Sequence, residues 1–256
     1  PDPIYPIREF DKDIYFITVE HIDVAASGYN GNETVRLYNS SWSGTGFLTN
    51  EGQFITARHV LEGWKWFNVN ADCTEADADP LMMALNNFSL NGGVTVTYKA
   101  ISPSGDVINF TNKMVIVDDS ADRIVCGKYK QTPWEAVNTD WASFDLKNRK
   151  GKSSIHINRD FSTELKKGVD LFISGYARGS ALQSLKKLDP LFSKGTVAQD
   201  GLIDEVINAS GMSTDSGHSG GPVFAKNNKT NRYEVIGLVH GKFGGIGRVV
   251  PIWYVR

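Results

Sequence analysis

The stretch GHSGGPVF, at residues 217–224, decides how this sequence is interpreted. A serine held among glycines and followed by proline suits a tight turn that projects its hydroxyl and directs backbone N–H groups toward one point. Such a turn can supply a nucleophile, Ser219, beside a place where an acyl oxygen can carry negative charge. An ordinary glycine-rich β-turn has a similar composition, so the interpretation depends on the rest of the chain.

Two upstream segments carry the partners that a serine nucleophile needs. The segment SGTGFLTNEGQFITARHV, at residues 43–60, predicts two strands that deliver His59 to the edge of a barrel. The segment DWASFDL, at residues 140–146, places Asp140 before a strand-like alternation. A histidine acts as a base near neutral pH, and a carboxylate holds its tautomer. Other acids are available for that carboxylate role: Asp118, Asp119, Asp122 and Asp145.

The rest of the chain indicates an all-β protein. Its 256 residues are 41% hydrophobic and 22% charged, which is an ordinary globular composition. Short β-branched and aromatic segments alternate with Gly, Asn, Asp and Ser clusters, as in antiparallel barrels and sandwiches. Helical character is confined to residues 57–64 and 81–87. The polar run RKGKSS, at residues 149–154, predicts a linker, so we expect one domain at residues 1–148 and another at 149–256.

Composition also excludes several classes of protein. The chain has 27 Lys and Arg against 29 Asp and Glu, a net charge of −2, so it lacks the excess of basic residues that is typical of nucleic-acid-binding proteins. No apolar run approaches the roughly 20 residues that span a bilayer, so membrane insertion is not expected. Cys73 and Cys126 allow one disulfide at most. The acidic residues 72–79 lack the spacing of a calcium loop and predict a solvated loop.

Three further patterns lack the context of a cofactor site. The run GKSS, at residues 151–154, lacks the preceding glycine of a phosphate-binding loop. The run GKFGGIG, at residues 241–247, precedes a strand rather than a helix. The five histidines have no zinc-protease spacing. We therefore expect neither a metal nor an organic cofactor.

The three quoted segments resemble the sequence blocks of trypsin/chymotrypsin-fold serine peptidases, most closely the bacterial HtrA-like and glutamyl-endopeptidase-like branches. Residues 56–59 match the T-A-x-H block, residues 140–146 match D-x-A-x-x-x-L, and residues 217–222 match G-x-S-G-G-P. The resemblance spans residues 40–256. It implies two packed six-stranded antiparallel β-barrels with a few short helices and an active site between them.

The resemblance implies a serine endopeptidase that acts on protein or peptide substrates. His59 would take the Ser219 proton, Asp140 would orient His59, and the N–H groups of Gly217 and Ser219, with His218 as a further candidate, would bind the oxyanion. Two other functions stay open: an inactive binding module with the same fold, and a phosphate-binding enzyme. An Asn-rich surface with six N-x-S/T sites fits a secreted or cell-envelope protein.

Two departures from the family pattern concern the site. His218 replaces the aspartate that precedes the nucleophile in zymogen-activated members, so no cleavage of that kind is expected. The long separation of His59 from Asp140 predicts an insertion at residues 70–135 of the first barrel.

The motif alignment also assigns four residues to the specificity pocket: Ser213, Thr214, His240 and Lys242. Two preferences stay open for this pocket. Ser and Thr walls suit a small aliphatic residue, whereas His240 and Lys242 would suit an acidic one.

Overall fold

The computed structural model describes residues 5–28, 31–38, 42–66, 80–90, 93–125, 127–130, 137–177 and 188–256. Cys73, Cys126 and the acidic residues 72–79 lie outside these ranges, so the expectations for the disulfide and the acidic loop are not addressed. Among the described helices, none has the length and apolar character needed to span a membrane.

The N-terminal half of the chain forms a curled antiparallel sheet of eight strands. Its strands are β1 (Ile14–Gly28), β2 (Gly31–Leu37), β3 (Ser43–Leu48), β4 (Gln53–Thr56), β5 (Val94–Ile101), β6 (Val107–Thr111), β7 (Ile116–Val117) and β10 (Ala142–Asp145). The order is β6-β5-β1-β3-β4-β10-β7, with β2 paired to β1. A separate hairpin pairs β8 (Arg123–Val125) with β9 (Lys128–Lys130).

The sequence of each strand explains how this sheet forms its core. In β5, VTVTYKAI alternates buried and half-buried positions, so one face packs inward. The rings of Phe54, Phe110 and Phe144 contact one another inside the curl, with centroids 4.9–5.6 Å apart. The long strand β1 pairs with three neighbours and has an irregular register between Val19 and His21. The bend at this irregularity helps the sheet to curl.

The C-terminal half forms a closed six-stranded antiparallel barrel. Its strands are β11 (Asp170–Gly175), β12 (Leu191–Val197), β13 (Ile207–Ser210), β14 (Pro222–Asn227), β15 (Arg232–Phe243) and β16 (Ile246–Pro251). They close in the order β11-β12-β13-β16-β15-β14. The predicted all-β, chymotrypsin-like fold class is confirmed. The expected six-strand count holds for this barrel, whereas the first unit has eight strands: seven follow one path from β6 to β7, and β2 pairs with the long β1 as the eighth.

Short helices occupy the connections. The two α-helices are α1 (Arg58–Leu61) and α2 (Pro80–Ser89). Single 3-10 turns occur at Arg8–Asp13, Gly63–Lys65, Val137–Thr139, Lys147–Arg149, Phe161–Glu164 and Ile252–Tyr254. The helix α2 and the β8–β9 hairpin lie between His59 and Asp140 in the chain, where the insertion is expected. The polar residues 149–154 lie between β10 and β11, the last strand of the sheet and the first of the barrel.

Candidate active site

His59 and Asp140 are held together by two hydrogen bonds at the edge of the first sheet. Strand β4 ends at Thr56, and α1 then turns His59 toward Asp140, which lies two residues before the start of β10, the neighbour of β4. The backbone N–H of His59 donates to Asp140 Oδ1 over 2.8 Å, and Nδ1 lies 2.7 Å from Asp140 Oδ2. The acid therefore fixes both the position and the tautomer of the imidazole. Of the candidate acids, Asp140 is the one bonded to His59.

The environment of this pair shifts both pKa values. Burial by itself would raise the pKa of Asp140, but the charge of His59 and the hydrogen bonds from His240 and His59 hold that pKa well below its usual range. Burial by itself would lower the pKa of His59, whereas the charge and hydrogen bond of Asp140 raise it above its ordinary value. The carboxyl is thus ionised and can stabilise a protonated His59.

A second imidazole, that of His240, binds the same carboxylate. His240 Nδ1 lies 2.5 Å from Asp140 Oδ2, the oxygen that also receives His59 Nδ1. Val239 points into the barrel core, so the next residue on β15 points out of the barrel toward the first sheet. His240 was expected to line the specificity pocket. In the structure the ring contacts Asp140.

Trp66 packs beside the two imidazoles. Its ring centroid lies 6.0 Å from that of His59 and 6.0 Å from that of His240, and the two histidine rings are 5.5 Å apart. This aromatic neighbour reduces contact of the pair with water, which strengthens their interaction with Asp140. The sequence analysis missed Trp66, because nothing in the local pattern marks it as a neighbour of His59.

Ser219 lies on a turn that precedes β14, and its hydroxyl reaches the backbone of His240. Its hydroxyl donates to the carbonyl oxygen of His240 over 3.3 Å. Among the described residues, it makes no hydrogen bond to His59. The structure therefore brings Ser219 to the His240 side of the cluster, with its hydroxyl on the carbonyl rather than on the base.

The turn that carries Ser219 is bound to β3 of the first sheet by Thr45. The Thr45 N–H donates to the Ser219 carbonyl over 2.9 Å, and the Thr45 hydroxyl donates to the Gly217 carbonyl over 2.6 Å. The same hydroxyl accepts the Tyr176 N–H over 3.0 Å. Thr45 is fully buried. The sequence analysis did not identify this residue, because its partners are far along the chain.

Backbone geometry explains why two positions of the motif are glycine. Gly217 has φ of +100°, which is strained for any residue with a side chain. Gly220 has φ of +82°, and a Cβ there would lie 2.2 Å from the Thr45 carbonyl oxygen and 2.7 Å from the Ala57 nitrogen. Its role is close approach to the first sheet rather than clearance around the nucleophile.

The N–H groups near Ser219 divide into two sets. Those of Gly217 and Ser219 have no hydrogen-bond acceptor within the described part of the chain, as an oxyanion site requires. The N–H of His218 donates to the Asp215 carbonyl over 3.0 Å, which removes it from the set of candidate donors. The His218 ring is buried, and Nδ1 accepts the Asp215 N–H over 3.2 Å. Burial lowers its pKa, so the ring is neutral.

The remaining pocket candidates have separate hydrogen-bond or ion-pair partners within the protein. Ser213 is exposed, and its N–H donates to the Ser193 hydroxyl. Thr214 is buried, and its hydroxyl donates weakly to the Gly241 carbonyl over 3.4 Å. Lys242 is exposed and pairs with Asp215 at 3.2 Å. Both predicted cations thus lie beside carboxylates of this chain, His240 beside Asp140 and Lys242 beside Asp215.

A buried ion-pair network fixes the helix that carries His59. Arg58 is fully buried, and its guanidinium donates to both carboxylate oxygens of Asp122 at 2.7 and 2.8 Å and to Glu62 at 2.9 Å. It also donates to the Asp118 carbonyl over 2.7 Å. These contacts join α1 to the loop before β8. Asp118 and Asp122 thus have a structural role beside His59 rather than the role of its acid.

His59, Asp140 and His240 also form the one group of possible metal ligands among the described residues. Their ligand atoms lie within 4.8 Å of one another. The Nδ1–Oδ2 separations of 2.5 and 2.7 Å are hydrogen-bond lengths. The arrangement as it stands is that of two N–H donors on one carboxylate oxygen.

This chain is similar to known proteins in sequence and in fold. Residues 44–238 match the sequence family described as trypsin-like peptidase domain. The Rv3671c protease of M. tuberculosis in an inactive form aligns with a TM-score of 0.52 and 14% identity, covering 100% of this chain and 93% of the other. A mutant of Rv3671c, also in an inactive form, gives 0.50 and 13%, covering 100% and 90%. Deg5 gives 0.48 and 14%, covering 97% and 88%. A comparison with curated proteins gives no match.

Proposed function

This chain belongs to the trypsin-like peptidase family, and on that premise we propose that it is a serine endopeptidase with Ser219 as nucleophile, His59 as base and Asp140 as its acid. The observation that carries the proposal is the pair of hydrogen bonds from His59 to the buried Asp140 carboxylate, with Ser219 on the facing turn. A buried carboxylate bonded twice to one histidine is the arrangement that makes an imidazole a directed base.

The first chemical step transfers a proton and forms a bond. The Ser219 hydroxyl leaves the His240 carbonyl by rotation about χ1 and donates to His59 Nε2. As Oγ attacks the peptide carbonyl carbon, the proton moves to His59, and the carbonyl electrons move to its oxygen. His59 then gives the proton to the departing amine, which leaves an ester on Ser219. Water repeats the sequence and releases the acid, with His59 again as base.

The turn at residues 217–219 would hold the negative oxygen of each intermediate. The N–H groups of Gly217 and Ser219 are the proposed donors, and Thr45 holds the carbonyl groups of the same two residues from the first sheet. Fixed donors of this kind stabilise the transition state because they need no reorganisation during the reaction.

The contacts of His240 and Lys242 concern which residue type the site accepts before the scissile bond. With His240 bonded to Asp140 and Lys242 paired with Asp215, the acidic preference loses both expected cations. We therefore propose a small aliphatic residue before the scissile bond, in a pocket near Ser213 and Thr214.

One observation favours the alternative of an inactive binding module: the Ser219 hydroxyl donates to a carbonyl rather than to His59. Labelling with a fluorophosphonate distinguishes the two functions, because only an activated serine reacts. We expect labelling and peptide cleavage by the wild type and by Ser162→Ala, a change at an exposed serine in the 3-10 turn Phe161–Glu164. Ser219→Ala should lose both, with a rate loss on the order of 10⁴–10⁶. Cleavage that persists in Ser219→Ala would exclude the proposed nucleophile.

A further inference from the structure

A cavity of about 360 Å³ lies on the outer face of the C-terminal barrel, next to the strand that carries His240. Its walls include the apolar residues Phe243 and Ile246, the amide residues Gln199 and Asn208, and two charged residues, Asp204 and Arg248. A volume of this size is within the range of pockets that bind small molecules or side chains. The mixture of apolar walls and a few polar groups is also typical of such pockets.

Arg248 is a buried cation whose partners in the protein are few. Its side chain is only 8% exposed, yet its single ion pair is to Asp204, at 3.6 Å, and that carboxylate is 71% exposed. Among the described residues the guanidinium makes no hydrogen bond. Taking a guanidinium out of water is costly unless its N–H groups find acceptors. The N–H groups of Arg248 are therefore available to an anion that enters the cavity.

The strand register places Arg248 beside the proposed active site. Arg248 is paired with Gly241, the residue after His240, and on its other side with Asn208. Its neighbour Val249 is in the barrel core, so Arg248 faces outward. Gly241 has no side chain, and a Cβ added there would meet no atom within 4 Å. The surface between Arg248 and His240 is thus open to an extended peptide.

We propose that this cavity binds the carboxylate of an acidic residue that lies within a few positions of the scissile bond, with Arg248 as its recognition residue. The proposal rests on the proposed peptidase function. A planar guanidinium can donate two parallel hydrogen bonds to a carboxylate. The amides of Gln199 and Asn208 offer further donors, and Phe243 and Ile246 can pack against the methylenes of a glutamate.

The test compares substrates that differ in one charge. A peptide that the wild type cleaves well is chosen from a mixed library, and each position around the cleaved bond is replaced in turn by Glu and by Gln. At one of the positions that do not adjoin the cleaved bond, we expect the Glu peptide to have a kcat/KM about tenfold to a hundredfold higher than the Gln peptide with the wild type. A hydrogen-bonded charge implies a difference of this size. Arg248→Gln should abolish this preference, so that the variant cleaves the Glu and Gln peptides at similar rates.

A second variant, Asp204→Asn, keeps the test decisive if Arg248→Gln does not fold. Asp204→Asn removes the competing carboxylate, and Asn tolerates the positive φ of 51° found there. This variant should strengthen the Glu preference. Equal cleavage of every Glu and Gln pair, unaffected by either change, would overturn the inference.

Binding to Ser219→Ala separates this inference from the proposed function. We expect calorimetry to show tighter binding of the Glu peptide than of the Gln peptide, and Arg248→Gln in the same background should remove the difference. If the wild type cleaves no peptide, the parent peptide is chosen from the same library by its binding to Ser219→Ala. A Glu preference that Arg248→Gln removes then leaves the carboxylate site standing, while the peptidase proposal fails. Absence of the difference counts against the carboxylate site alone.

Discussion

His240 contacts both Asp140 and Ser219, the acid and the nucleophile of the proposed triad. Its ring Nδ1 lies 2.5 Å from Asp140 Oδ2, and its carbonyl accepts the Ser219 hydroxyl. An N–H donated to a carboxylate stabilises the charged form and weakens its attraction for other protons. We therefore regard His240 as a positioning residue that orients Asp140 and moderates its effect on His59.

The variants His240→Asn and His240→Leu separate this role from simple packing, because the two new side chains have nearly the same shape. Asn can keep a donor near the position of Nδ1, and Leu cannot. With the donor lost, Asp140 attracts protonated His59 more strongly, so the pKa of His59 rises further. Since the base acts only when neutral, activity in His240→Leu should be lost at a higher pH as the solution is acidified.

The measurement is the pH profile of kcat/KM. The profile of His240→Leu should have its acid limb displaced to higher pH, with a plateau lower by about tenfold. His240→Asn should keep an acid limb close to that of the wild type. Superimposable acid limbs in the two variants would show that the contact with Asp140 only packs the site.

At the scale of elements, one strand of the first sheet holds the turn of the second unit. Thr45 on β3 binds the carbonyls of Gly217 and Ser219, and Gly220 approaches the same strand too closely for any side chain. The proposed oxyanion donors therefore depend on the contact between the sheet and the barrel. Neither unit forms the site alone.

Thr45→Val tests this dependence, with Thr45→Ser as the matched control. Valine keeps the shape but leaves the buried Gly217 carbonyl and the Tyr176 N–H without the hydroxyl that binds them. A lost hydrogen bond of this kind costs about 1–3 kcal/mol. We expect kcat to fall by about tenfold or more, with a smaller change in KM, whereas serine should retain most activity. Equal kinetics for the two variants would argue against a role for this hydroxyl.

At the scale of the whole molecule, each end of the chain binds the opposite half. Near the N-terminus, Asp11 Oδ1 accepts the hydroxyls of Tyr5 at 2.6 Å and of Ser174, on β11 of the barrel, at 2.8 Å. At the C-terminus, the Arg256 carbonyl accepts the Gln53 amide, on β4 of the sheet, at 2.8 Å. The two halves are thus tied together, and we expect them to unfold in one cooperative transition.

Asp11→Ala should weaken that connection. The substitution leaves two hydroxyls without their acceptor, at a cost of about 1–3 kcal/mol. In a chain of this size the midpoint of thermal unfolding should fall by several degrees. Glu9→Ala, at an exposed position of the same 3-10 turn, should leave the midpoint nearly unchanged. Two separate calorimetric transitions in the wild type would contradict the coupling of the halves.

The sequence by itself determined the fold class and the three residues of the proposed triad. Alternating short strands and turn residues specify an antiparallel β protein, because strand period and turn chemistry are local properties. The turn around Ser219 needs glycine at particular positions, so its chemistry is visible in a short window. Helix α2 was also found from its local composition. These features can be recognised without knowing which strands pair.

Only the tertiary structure decided the partners of His240, Thr45 and Arg248. The register shift between Val239 and Gly241 places Gly241 on the same face as Arg248, and a shift of one residue exchanges the faces of a strand. Thr45 reaches Gly217 only after the sheet and the barrel pack together. Arg248 becomes a buried cation only when the loop with Asp204 covers it. Each of these contacts depends on strand register or on packing between distant segments. A short segment of sequence encodes neither the register nor the packing.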